Sequence, residues 1–315
     1  MPNPIPYTGN APYCYANSLH MCLQSAGVDD VATPGMLECL TLMPFGSHYD
    51  EREASRPLFF PDLYPLDPDQ GLTIAIGSLG WACNRWMTEK QGAAEEAVAQ
   101  LRTAIQQGPV LIGPLDMGYL SHNPRAGGAS DHFIVALELD EHHAVVHDPY
   151  GFPFARLPIK DLLQAWRATR IDYASGAFTM RFGFRRMEQR SWMHVTSRSI
   201  AALREILSAP SRWPTEYGGP SALLRVADLL RTDNPPSTLC ELQYFALPLG
   251  ARRCLDGADF LRSAGLVQAS SIMTRKAVLY GRAQYDAVHK NWAAVANVFT
   301  ELAAAEAEFV ATLLS

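Results

Sequence analysis

The sequence predicts an α+β domain built on an antiparallel sheet, followed by an all-helical domain. Three observations carry that prediction. Two apolar, β-branched arms, "DHFIVALELD" (131–140) and "HAVVHDP" (143–149), read as a hairpin bounded by turn residues. Further strand-like runs, "PVLIG" (109–113) and "GAFTMRFGFRR" (176–186), stand on either side of it. From about residue 191 the apolar residues recur at helical spacing, with helix-type starts and stops. The expected domains are 1–190 and 191–315.

The elements follow in order. After Pro12, residues 14–26 read as a helix: Leu19, Cys22, Leu23 and Ala26 share a face, and Gly27 is a stop. Residues 44–72, rich in Pro, Gly, Asp and Tyr, form a long irregular excursion, as lids and binding loops do. "EEAVAQLRTAIQQG" (95–108) is an amphipathic helix that runs into the strand at 109. After the hairpin come a short arm, "GFPFARLP", a helix, "IKDLLQAW" (159–166), and the strand at 176–186. Beyond 191, "SRSIAALREILSAP", "PSALLRVADLLRT", "LDGADFLRSAG" and residues 270–315 are helical patterns.

Composition limits the function. Of 315 residues, 48 % are apolar and 18 % charged, which favours a packed core over disorder. A net charge of -6 argues against a nucleic-acid partner. No apolar run approaches the ~18 residues of a membrane span, so no membrane association is expected. "MPNPIPYTGN" lacks the basic and apolar regions of a secretory signal. Cys14, Cys22, Cys39, Cys83, Cys240 and Cys254 are scattered without a CxxC pair. Reduced thiols in the cytoplasm are therefore expected, rather than disulfides or a zinc site. His142, His143 and His147 beside Asp148 raise the question of a metal. A His-His turn is more often solvated, and strand parity sends neighbours to opposite faces, so no metal is expected.

Nucleophilic cysteine chemistry needs a thiolate, a base that orients it, and donors for an oxyanion. Cys14 stands at a helix start, where backbone amides favour the thiolate. His132 opens one hairpin arm and Asp148 closes the other. Both are nearly equidistant from the turn at 140–142, so they fall close to cross-strand neighbours. Asp148 is then placed to hold one nitrogen of His132 while the other faces Cys14. Each residue has a plainer reading alone. A helical cysteine is usually core, which suits Cys22 better than Cys14. His132 reads as a core histidine, and Asp148, in Asp-Pro-Tyr-Gly, as a turn residue.

With these residues placed, "DHFIVALELDEHHAVVHDP" (131–149) resembles the His strand and the Asn/Asp-Pro strand of bacteriocin-processing, papain-like cysteine peptidases. The chain is more similar to the butirosin biosynthesis protein H-like family. The likeness takes in the early cysteine, "MPFGSHY" (43–49), "GPVLIGPLD" (108–116) and the hairpin. It extends to "WPTEYGGPSALLRVADLL" (213–230) and "ARRCLDGADFLRSA" (251–264) in the helical part. It implies a papain-like fold and an acyltransferase that moves an acyl group from a carrier-protein thioester to an amine of a small natural product. Cys14 would be the nucleophile, His132 the base and Asp148 the orienting group. No cofactor is implied beyond the phosphopantetheine of the acyl carrier protein. Papain-like enzymes usually offer an oxyanion Gln before the cysteine. This sequence has none, and Asn10 or Thr8 is the expected donor, with the Cys14 amide as the second. Tyr13, Tyr15, Asn17 and Tyr49 are candidates for substrate contact.

Two surface features follow from that reading. The excursion from Gly46 to Gly71, with Tyr49, Phe59, Phe60 and Tyr64, is a candidate lid, or else a plain surface loop. Arg181, Arg185, Arg186 and Arg190 are a candidate docking patch for an acidic carrier, or else a solvated face. The same three residues would also serve a hydrolase or an acyl cyclase. A non-catalytic binding module remains the alternative from another class.

Overall fold

A computed structural model describes residues 5–9, 12–27, 30–50, 58–123, 128, 130–209, 218–232 and 235–315. The protein is α+β, with antiparallel sheets and a helical C-terminal part. It divides into two compact units: residues 1–37 with 72–189, and residues 38–71 with 190–315. Residues 38–71, expected in the first domain, thus pack in the second unit with the helices.

In the first unit, α1 (Cys14–Ser25) opens the chain, and α2 (Pro34–Leu40) begins there. Two short strands of the other unit follow, β1 (His48–Asp50) and β2 (Leu58–Phe60), then α3 (Pro68–Ser78), most of which returns to the first unit. The sheet is made by β3 (Trp81–Thr88), β4 (Val110–Asp116), β5 (Asp131–Leu139), β6 (His143–Asp148), β7 (Phe152–Pro158) and β8 (Ala177–Arg186). Its order is β3-β8-β4-β5-β6-β7, and every pairing is antiparallel. The ends of β4 and β6 and the start of β5 therefore meet at one end of the sheet.

The helices α4 (Ala94–Ile105) and α5 (Ile159–Trp166) cover strand residues of one parity. Val110, Ile112, Ile134, Ala136, Val146 and Met180 pack there with Leu101, Leu162 and Trp166. The Trp166 indole N–H donates to Thr179 O (2.7 Å), so this large side chain is buried with its polar atom satisfied. Helix α1 packs on β5, where the Tyr15 ring meets Phe133 edge-on (5.8 Å) and the Ser18 hydroxyl donates to Phe133 O (3.3 Å). Cys22 is 1 % exposed in this contact layer, and burial pushes its thiol up.

A β-bulge sets the register of the central hairpin. Leu139 faces Ala144 and Glu138 faces Val145, but Ala136 faces Val146 and Val135 faces His147. Leu137 is the extra residue. Beyond it Asp148 falls opposite residue 134, on the face that also carries residue 132. Without the bulge Asp148 would stand opposite 135 and its side chain would leave on the other face.

In the second unit the described residues of the excursion include two short paired strands. β1 pairs with β2, with Tyr49 opposite Phe59. Phe45, on a 3-10 turn at Met43–Phe45, stacks on Phe309 and contacts Phe260. This unit also holds the helices α6 (Trp192–Ser208), α7 (Pro220–Leu230), α8 (Ala246–Ser263), α9 (Val267–Val288) and α10 (Trp292–Leu314). Glu38 and Arg253, both buried, are bonded at 2.8–2.9 Å, and Arg253 also donates to Pro61 O (2.8 Å). Lys276 and Glu306 form a second buried ion pair on α9 and α10. Among the described residues no helix is long and apolar enough to cross a membrane.

Candidate active site

Cys14 is the first residue of α1 and is partly exposed. The preceding Tyr13 makes no side-chain cap, and the first turn holds no carboxylate, so the positive end of the helix lies at the sulfur. The thiol is hydrogen-bonded to the His132 ring. Nε2 of that ring bonds Asp148 Oδ1 at 2.7 Å, which leaves Nδ1 for the thiol. His132 is 2 % exposed and Asp148 is fully buried. The register of the bulged hairpin is what sets His132 and Asp148 on one face.

The electrostatics are those of a buried relay. Burial pulls the His132 pKa down, but the charge and hydrogen bond of Asp148 outweigh it, and the ring is raised to about 10. Burial likewise opposes the Asp148 charge, yet His132 and His122 hold its carboxyl well below the usual range. Burial pushes the Cys14 thiol up, with the His132 hydrogen bond as the main counterweight. The thiolate is therefore favoured only as the partner of a protonated His132.

The N-terminal lead-in clamps the far side of Asp148. The Tyr7 hydroxyl donates to Asp148 O (2.9 Å) and accepts from Gly151 N–H (2.9 Å). Gly9 passes so close to the following Pro149 that a Cβ there would lie 2.6 Å from its Cα, so a glycine is required. His147 is also structural. Its Nδ1 accepts from Phe154 N–H (3.1 Å), so Nε2 carries the proton donated to Ile5 O (3.1 Å). His142 and His143 lie at the hairpin turn, where both backbone N–H groups donate to Asp140. No metal-holding cluster is present among the described residues.

Other expected site residues fall differently. Asn10 lies outside the described residues. Thr8 is half-buried in the lead-in. The Cys14 N–H, expected to serve an oxyanion, donates to Pro12 O (2.8 Å), because the turn at Pro12 folds back onto it. Tyr13, Tyr15 and Asn17 are buried beside Cys14, and Tyr15 is occupied with Phe133. Neither the Asn17 amide oxygen nor its nitrogen has a hydrogen-bond partner. Tyr49 is 1 % exposed in the second unit. The arginine patch is not one surface: Arg181 is buried and donates to Thr73 (3.0 Å), and Arg186 is paired with Asp30 (2.7 Å).

One residue of the site is absent from the sequence reading. His122 Nε2 lies 2.8 Å from Asp148 Oδ2. It follows a 3-10 turn at Met117–Tyr119, in a Pro- and Gly-rich connection that has no hydrophobic period to place it.

Comparison with known proteins adds relatives without an assigned activity. Residues 213–314 match the family model of the YobF C-terminal domain. Over 313 residues, 98 % of each chain, the protein is 29 % identical to the uncharacterized protein YobF of Bacillus subtilis (strain 168).

Proposed function

We propose that the first unit is a papain-like acyltransferase in which Cys14 carries the acyl group, with Asp148 orienting His132. The observation that carries this reading is the relay from the thiol through His132 to Asp148 Oδ1, set at a helix N-terminus. The carrier-protein donor and the amine acceptor rest on the resemblance to the butirosin biosynthesis protein H-like family. A reaction on a reduced thiol suits the cytoplasm.

In the first half-reaction the Cys14 sulfur attacks the thioester carbonyl. A new C–S bond forms, the carrier C–S bond breaks, and protonated His132 gives its proton to the departing thiol. In the second, an amine attacks the acyl-Cys14 carbonyl and His132 takes its proton. The C–N bond forms and Cys14 leaves as the thiolate. The first exchange trades one thioester for another and is nearly neutral, while amide formation is downhill. The scheme is ping-pong.

The test is product analysis after mixing the protein with an acyl-loaded carrier protein and a panel of small amines. An amide that needs Cys14 supports acyl transfer. Free acid alone in the presence of amine would make the protein a hydrolase. No turnover of any acyl thioester would leave the non-catalytic binding module as the better reading.

A further inference from the structure

Asp148 is held at both carboxylate oxygens. Oδ1 accepts from His132 Nε2 (2.7 Å) and from Tyr150 N–H (2.8 Å). Oδ2 accepts from His122 Nε2 (2.8 Å). The terminal torsion of an aspartate is soft, so a carboxylate anchored through one oxygen can swing about it. A donor on the second oxygen removes that freedom. The His122 ring is itself fixed: its side chain is 9 % exposed and it packs edge-on against Phe152 at 5.3 Å. Its Nδ1 is buried with no partner, so the ring is spent on one hydrogen bond, the one to Asp148. Burying a polar atom unpaired costs about 1–3 kcal/mol. A residue retained with that cost is better explained by the bond it makes than by packing.

We infer that His122 is a positioning residue that fixes the Asp148 carboxylate, and through it the His132 ring, with Nδ1 turned to Cys14. The inference rests on the cysteine chemistry proposed above. His122 touches neither the thiol nor the acyl group. It acts by keeping the Asp148 plane aligned, so that the His132 N–H bond stays linear as the ring gains and loses a proton.

The test is the rate of Cys14 alkylation by iodoacetamide, followed by peptide mass, in the full-length protein. His122→Leu keeps bulk and removes the donor, and should slow Cys14 by about tenfold, the lower range for losing a group that orients a site residue. His122→Gln places an amide N–H near Nε2 and should restore most of the rate. His122→Asn stops at the Nδ1 position and should not, which keeps the test open if the leucine variant does not fold. The double variant H122L/D148N should be no slower than D148N alone, since the two act as one unit. Wild-type rates in both H122L and H122N, or a double variant slowed by the full product of the two singles, would overturn the inference. Wild-type Cys14 reacting no faster than in D148N would overturn the proposed chemistry instead, and the role of His122 with it.

Discussion

His132 and Asp148 are joined by a 2.7 Å hydrogen bond although they are not opposite each other in the hairpin. Their alignment depends on Leu137, the unpaired residue that shifts the register by one before the site is reached. Inserting one residue between Val146 and His147 should turn Asp148 to the other face of the sheet, whereas deleting Leu137 leaves Ala136 opposite Val146 and keeps His132 and Asp148 on one face. In the insertion variant Cys14 alkylation should fall to the level of the D148N variant, while far-UV circular dichroism still reports helix and sheet. A folded insertion variant with wild-type Cys14 reactivity would refute the register argument.

The same pair predicts a pH window for stability. His132 is raised to about 10 in the folded protein, so its contribution is complete below its unfolded value of about 6.5 and is lost as pH rises through 10. The Asp148 pKa is depressed, so its contribution is present above about 3.9 and is lost as pH falls through the folded value. The difference in Tm between wild type and D148N should be largest between about pH 4 and 6.5, shrinking towards alkaline and strongly acid solution. A difference that does not change with pH would contradict the ion pair.

Tyr7 ties the lead-in to the turn after Asp148 through two hydrogen bonds on one hydroxyl. Tyr7→Phe removes both and leaves the Asp148 carbonyl and the Gly151 N–H without that partner. Because the Gly151 N–H also donates to Asp148 O (3.3 Å), neither group is orphaned, and a loss of about 0.5–1.5 kcal/mol by chemical denaturation is expected, with slower alkylation of Cys14. Unchanged stability together with unchanged Cys14 reactivity would show that the lead-in does not support the site.

In the second unit, Arg253→Met would take the ion-pair partner from the buried Glu38 carboxylate. Breaking a buried ion pair from one side costs about 3–5 kcal/mol, whereas replacing both partners with apolar residues is often near neutral. The double variant E38L/R253M should therefore be markedly more stable than R253M in urea unfolding. Equal stabilities would mean that Arg253 acts mainly through its bond to Pro61 O.

The sequence made the hairpin, the helix at Cys14 and the helical C-terminal part legible because each has a clear apolar period and ordinary end signals. The approach of His132 to Asp148 was readable from their distance to the turn, but the bulge that puts them on one face was not. Bulges leave no period of their own in a sequence. The expected irregular excursion ends at residue 72 and so takes in only the start of α3, whose remainder carries no sequence expectation. Asp67–Pro68 is a helix start: Asp67 Oδ1 accepts from Gln70 N–H (2.8 Å) and proline takes the first helical position. The edge strand β3 escaped because "WACNRWMT" lacks a clean alternation of buried and exposed residues. The placement of 38–71 with the helices rests on long-range contacts, such as Phe45 with Phe309, that local patterns do not encode. His122 was illegible for the same reason: its meaning lies in Asp148, 26 residues away.

The central claim, that Cys14 is an acyl-accepting nucleophile, is tested most directly by intact-protein mass spectrometry after mixing with a small acyl thioester of N-acetylcysteamine. The account predicts a mass gain of one acyl group, mapped to Cys14 and absent from the Cys14→Ala variant. No adduct on the wild type, or an adduct that persists in Cys14→Ala, would contradict it.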